Sequence, residues 1–144
     1  VRVGAMFVDG YGCLRIKDAR RFDWIFTVNL FGYILTDEAS QIAGSIGMLA
    51  SASIGDSTGV YEPIHGSAHD ITGKEIANPL ASVLSAALLL DISFGLKTES
   101  EAVISAVDKV LKGGFRTSDI ADTTTAPATI LRTGAMGDEA LKNL

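Results

Sequence analysis

Cysteine is almost missing from this chain of 144 residues, with Cys13 standing alone. One thiol excludes an internal disulfide and is compatible with a reducing cytosol, so a cytoplasmic setting is expected. Basic charge is scarce as well. Twelve Lys and Arg against 17 Asp and Glu leave a net charge of −5. No basic stripe is available to neutralise phosphates, which argues against nucleic-acid or anionic-membrane binding. No secretory signal is visible. The apolar run Leu80 to Leu96 is interrupted by Asp91 and falls short of the roughly 20 residues that a bilayer span needs. Internal repeats and low-complexity linkers are lacking too. So is the usual dinucleotide fingerprint: Gly10-Tyr11-Gly12 opens like one, but Arg15 stands at its sixth position in place of glycine.

What the chain does have is enough apolar content, 47%, to bury one core, which argues against disorder. Val1 to Val8 reads as a strand already under way without an initiator methionine, so a preceding segment is expected. Asp23 to Val28 is a short β-prone apolar run that suits a buried strand, giving strands that alternate with helices early in the chain. Thr36 to Met48 has helical character with acidic residues in its opening turn. Asn78 then Pro79 is a helix start, since Asn caps well and Pro is favoured at the first helical position. Leu80 to Phe94 is apolar nearly all round, as a core helix would be, and Gly95 ends it. Thr98-Glu99-Ser100-Glu101 has the capping-box pattern for the next helix. There Val103, Ile104, Val107, Val110 and Leu111 recur at helical spacing, and Gly113 stops it. Ala121 to Pro127 reads as a loop, and a last helix is expected from about residue 135 to 144.

The segment from Glu62 to Gly73, closing on Asn78-Pro79, is polar, punctuated by glycine and followed at once by an apolar helix. Gly66 and Gly73 let backbone approach a ligand without a Cβ clash, and Ser67 and the loop N–H groups can donate to sugar or phosphate oxygens. Asp70 supplies a carboxylate able to accept from both hydroxyls of an adenosine ribose while repelling a 2′-phosphate. The same residues are also compatible with an ordinary surface loop. His65 and His69 do not form a zinc pair: they lie in a Gly/Ser loop with no cysteine nearby.

The loop resembles the adenosine-binding segment of the 3-isopropylmalate dehydrogenases. The resemblance extends through Asn29-Leu30-Phe31-Gly32, Thr36-Asp37-Glu38-Ala39-Ser40, Gly44-Ser45-Ile46-Gly47-Met48-Leu49 and Ala77-Asn78-Pro79-Leu80. It is thinner at Gly114-Phe115-Arg116-Thr117-Ser118-Asp119 and Met136-Gly137-Asp138. It implies part of a two-lobe α/β fold without a GxGxxG Rossmann domain, residues 1–47 belonging to a central dimerisation and metal lobe and 48–144 to the cofactor lobe. It further implies NAD, bound by His65, Gly66, Ser67, Ala68, Asp70, Ile71 and Asn78. Asn78 would serve both as helix cap and as an adenine contact, and Glu62 either as a loop-stabilising carboxylate or as a ligand contact. His69 stands where the family most often has proline, which loosens the loop without removing Asp70.

A divalent cation, Mg2+ or Mn2+, is implied as well, with Asp9 reaching it and the substrate from a neighbouring subunit of a homodimer, and Asp37 as a second ligand. Here the chain departs from the family's Gly-Asp-Ile-Leu-x-Asp pattern, reading Gly32-Tyr33-Ile34-Leu35-Thr36-Asp37. Spacing of four would put both side chains on one helix face, but a phenol with an ordinary pKa of about 10 is neutral at pH 7 and a poor ligand for a hard cation. Asp37 can also be read as a favourable acid in the first turn of a helix.

The family's first half, with its substrate arginines and its proton-handling tyrosine and lysine, has no counterpart here, so no catalytic residue is assigned. The expected activity is oxidative decarboxylation of 3-isopropylmalate, a 2-hydroxy dicarboxylic acid, in leucine biosynthesis, with this polypeptide inactive alone. A related tartrate, malate or isocitrate dehydrogenase, and a non-catalytic nucleotide-binding or subunit-association fragment, remain as alternatives.

Overall fold

The computed structural model describes residues 3–144. It is a mixture of helix and strand, an α/β fragment, dividing into two compact units, Val1–Ala43 and Gly44–Leu144.

The first unit is built on two helices, α1 (Val8–Lys17) and α2 (Asn29–Ala43), joined by a 3₁₀ turn at Ala19–Arg21 and an irregular stretch. Its small core centres on Tyr11, whose ring meets Phe22 edge-on at 4.9 Å between centroids and carries the Arg15 guanidinium at 5.8 Å. Arg15 also donates to the carbonyl of Leu35 on α2 at 3.3 Å. Beside α2, Gly12 leaves room for Glu38, whose carboxylate would lie 3.4 Å from a Cβ at that position.

Neither strand expected in this unit forms. Residues 3–7 and 24–28 carry no ladder, and Val1 and Arg2 lie outside the described residues. The physical reason at Asp23 to Val28 is the lack of a partner. A β-prone run becomes a strand only when a neighbour takes its backbone groups, and here Trp24 and Phe26 stand 95% and 103% exposed. The helix expected at Thr36 to Met48 starts seven residues sooner, at Asn29, and ends at Ala43. Gly44, at φ +111°, breaks it, and Ile46–Met48 forms a separate 3₁₀ turn whose entry Ser45 caps by accepting from the Gly47 N–H at 3.0 Å.

In the second unit, β1 (Ala50–Ile54) and β2 (Gly59–Pro63) pair as an antiparallel hairpin in register from Ala50↔Pro63 to Ile54↔Gly59. Three helices follow: α3 (Leu80–Ile92), α4 (Lys97–Lys112) and α5 (Thr133–Lys142). Their facing stripes give a dry cluster of Leu80, Val107, Val110, Met136 and Ala140, with Met48, Leu84 and Phe115 packed around it. Burying each of the larger side chains stabilises the unit by about 1.5–3 kcal/mol. Tyr61 on β2 shares a 2.7 Å hydrogen bond with Ser93 at the end of α3, tying the hairpin to that helix.

The helix start at Asn78 is as expected: its Oδ1 accepts from the Leu80 N–H at 3.0 Å. The capping box is not. Gly95, at φ +66°, folds the chain back so that its N–H meets the Asp91 carbonyl, and α4 begins at once, leaving Thr98 inside the first turn with no cap bond. At the far end Gly113 closes α4, but the left-handed residue is Gly114 at φ +87°. Ile104, expected inside by its spacing, is 46% exposed.

Candidate functional site

The loop that carries the cofactor expectation leaves the hairpin at Pro63, and its first anchor is the Ile64 N–H on the Leu49 carbonyl at 3.2 Å. Glu62 is on the exposed face of β2, away from the residues that pack inward. His65 Nδ1 donates to the Gly66 carbonyl at 2.9 Å, which leaves Nε2 as the ring's free position. Ser67 Oγ is within 3.5 Å of His69 Nε2. The chain then passes through Ala68 at φ 41°, a 3₁₀ turn at His69–Ile71, Gly73 at φ 75° and Glu75 at φ 54°.

Ala68 and Glu75 are the two non-glycine residues with positive φ among the described residues. Each costs about 1 kcal/mol and persists only where surrounding contacts impose it. They bracket the turn that presents Asp70. Nothing in the sequence signalled them, since neither Ala nor Glu favours this conformation.

The two glycines of the loop differ in what they require. Gly73 needs its left-handed backbone. Gly66 has no such need, and a Cβ there would meet no atom within 4 Å. The fold of this chain does not require a glycine at position 66, nor at Gly134 or Gly137, where the surroundings are equally open. Asp70 is exposed, and its carboxylate has no hydrogen-bond partner among the described residues. The structure therefore gathers His65, Gly66, Ser67, Ala68, Asp70 and Ile71 on one surface loop, with an uncommitted carboxylate and room for backbone contact.

Asn78 is placed differently. It is 7% exposed, beneath the end of the loop, with Oδ1 on the α3 cap and Nδ2 on Asp119 at 3.2 Å and the Met48 sulfur at 3.3 Å. Both polar ends are engaged inside the protein. Asp119, which sequence reasoning quoted only as part of a family segment, is the further residue the structure brings forward. Partial burial pushes its carboxyl up, but hydrogen bonding from Ser45, Thr117, Asn78 and its own backbone outweighs this and holds the pKa below the ordinary carboxylate value. Within ordinary hydrogen-bond geometry Asn78 is the firm donor. The fully buried Thr117 hydroxyl makes no bond of that quality, while the Ser45 hydroxyl, which accepts from the Gly47 N–H, keeps its own proton free to donate to Asp119.

The expected metal carboxylates lie in the first unit. Asp9 is in the first turn of α1, and Asp37 is on α2 one turn after Tyr33; all three are exposed. Tyr33 and Asp37 thus share a helix face. Among the described residues no three His, Cys, Asp or Glu side chains gather closely enough to hold an ion. Asp9 and Asp37 therefore form no such group within the described residues of one chain.

The family model for isocitrate/isopropylmalate dehydrogenase matches residues 1–140, and the chain belongs to that family. It is 49% identical, over its whole length, to the 3-isopropylmalate dehydrogenase of Desulfitobacterium hafniense strain Y51, of which it covers 40%. It is 56% identical over 85% of its length to the enzyme of that name from Oleidesulfovibrio alaskensis, covering 34% of it. Among solved structures, isocitrate dehydrogenase from Methylococcus capsulatus superposes with a TM-score of 0.86 at 33% identity, over 94% of this chain and 39% of that one. A β-decarboxylating dehydrogenase from Thermococcus kodakarensis gives 0.79 at 34% identity, over 94% and 38%. The chain thus spans about two-fifths or less of the length of these relatives.

Proposed function

We propose that this chain supplies the cofactor-loop portion of an NAD-dependent 3-isopropylmalate dehydrogenase, an enzyme of leucine biosynthesis working in the cytoplasm as a homodimer. The observation that carries the reading is the loop from His65 to Ile71. It has a glycine the fold does not require, an exposed and unpartnered Asp70, and backbone held in two unfavourable conformations beside it. The residues fit NAD. Backbone at Gly66 and the Ser67 hydroxyl serve the sugar and phosphate oxygens, and the Asp70 carboxylate accepts from the ribose hydroxyls and repels a 2′-phosphate. When bound, NAD supplies the acceptor for hydride from the 2-hydroxy carbon. This chain's part is to hold and orient it.

Assigning residues 1–47 to the central lobe and 48–144 to the cofactor lobe belongs to the same proposal. So does the homodimer, which would cover apolar side chains such as Trp24, Phe26 and Leu30 that the first unit leaves exposed. Asp9 and Asp37 remain the proposed carboxylates for Mg2+ or Mn2+, with Asp9 delivered by a second copy and Tyr33 leaving the set one carboxylate short. Curated relatives near 50% identity, all named for 3-isopropylmalate, favour that substrate over isocitrate.

The test follows NADH absorbance with 3-isopropylmalate, NAD and magnesium. The 144-residue chain alone should show no steady turnover. Joined to the remaining portion of the Desulfitobacterium hafniense relative, it should oxidise 3-isopropylmalate in preference to isocitrate, tartrate and malate. Absence of turnover, or a preference for NADP over NAD, would overturn the assignment.

A further inference from the structure

The Asn78 carboxamide, nearly closed off from water, must place one acceptor and two donors on protein atoms. Its oxygen is fixed by the Leu80 N–H at 3.0 Å, and that bond aims the nitrogen at Asp119 Oδ2, 3.2 Å away. The other neighbour of the nitrogen is the Met48 thioether, a weak acceptor. Asp119 is therefore the strong partner, brought from 41 residues further along the chain, beyond the whole of α4. A third segment is shaped to let the two meet. At Gly47 a Cβ would be 2.8 Å from the Asn78 Cβ and 3.2 Å from Asp119 Oδ2, so any side chain there would force the pair apart.

Asn78 sits where the returning limb of the cofactor loop becomes α3. That limb is held from outside at Glu75, Ala77 and Asn78. Thr133 donates its N–H to the Glu75 carbonyl at 3.0 Å and its hydroxyl to the Ala77 carbonyl at 2.6 Å, and Asp119 holds Asn78. The exposed stretch that would touch NAD, by contrast, is braced mainly by its own short-range bonds. Its position is set by where the limb is anchored.

We infer that Asp119 is a positioning residue for the cofactor loop, acting through Asn78. The inference rests on the reading of that loop as a NAD site. Asp119 is at the surface, so trimming it opens no cavity in the core. It leaves a buried amide donor with only a thioether to accept it, and the Asn78 side chain and the α3 cap gain freedom. Asn at position 119 retains an oxygen that can accept from Nδ2 and should recover most of the effect.

The experiment uses the 144-residue chain, 15N-labelled, with NAD as the titrant, in four forms: unmodified, Asp119→Ala, Asp119→Asn and Asp70→Asn. In Asp119→Ala the Asn78 carboxamide resonances should shift, Leu80 amide exchange should accelerate and the Kd for NAD should rise about tenfold, with Asp119→Asn close to the unmodified chain. If Asp119→Ala does not fold, Asp119→Glu replaces it, since one added methylene misplaces the oxygen while keeping the charge. An unchanged Kd in that variant overturns the inference. So does an Asn78 signal that moves in Asp119→Ala while the Kd stays put, because Asp119 would then be a helix support only. Binding that Asp70→Asn weakens and Asp119→Ala does not overturns the inference alone. No saturable binding of NAD to the unmodified chain overturns the loop reading and the inference together.

Discussion

The two units of this chain bury their apolar side chains to very different degrees. Gly44–Leu144 closes a core in which Leu80 and Met136 are fully buried and Val110 is 1% exposed. Val1–Ala43 buries Tyr11, Leu35 and Ala39 but leaves Phe7, Trp24, Phe26, Leu30 and Ile34 more than half exposed. The proposed nucleotide loop belongs to the better packed unit, and Asp9 and Asp37 to the other. That loop is rooted in a unit with a closed core, although Phe94 and Leu141 at its surface are also more than half exposed. The proposed metal carboxylates, Asp9 and Asp37, stand on helices whose apolar neighbours lack cover within the described residues, and the proposed ion would need Asp9 of a second copy.

The largest effect that could break this contrast is on stability. Leu80→Ala should cost about 2–5 kcal/mol, because the α3, α4 and α5 side chains around it cannot collapse fully into the space. Trp24→Ala should stay within about 0.5 kcal/mol, since Trp24 packs against almost nothing. Denaturant unfolding of both variants checks the pair. Comparable losses would mean that the first unit has a core that the exposure of Trp24 conceals.

Tyr33→Asp sharpens the contrast on the metal side. Tyr33 is exposed on α2, so the helix should tolerate the change, and the added carboxylate one turn before Asp37 restores a pair on one face. In the completed enzyme the magnesium concentration for half-maximal activity should fall, on the order of tenfold, and turnover should rise. A requirement equal to or above the parent's, with no gain in rate, would remove Tyr33 from the ligand position.

The smallest effect expected is at Thr98. A true N-cap would lose about 1 kcal/mol on substitution by alanine. Because Thr98 is inside the first turn of α4 without a cap bond, Thr98→Ala should change stability by no more than a few tenths of a kcal/mol in thermal unfolding.

Thr98 also shows where sequence reading stopped. The helices of the second unit were legible because Asn78-Pro79, Gly95 and the spacing of Val107 and Val110 each act locally, within one or two turns. The capping box failed because Gly95 reverses the chain two residues ahead of α4 and fixes its start before Thr98 can cap it. The strand expected at Asp23 to Val28 failed for a non-local reason: strand formation depends on a neighbour, and composition does not reveal whether one is there. The proposed cofactor loop rests on its residue types, Gly66 and Asp70 above all. Its supports were not legible in the sequence. Asp119 reaches it from 41 residues away through one hydrogen bond and Thr133 from 56 or more through two, and the positive φ of Ala68 and Glu75 is imposed by context.

Asp70 offers the most direct test, by the ratio of NAD to NADP efficiency in the completed enzyme, measured for the parent and for Asp70→Asn. The account predicts a strong preference for NAD that falls on the order of tenfold or more when the charge is removed, because the ribose hydroxyls lose a charged acceptor and a 2′-phosphate loses its repulsion. An unchanged ratio would contradict it and would place cofactor selection on some other contact of the loop.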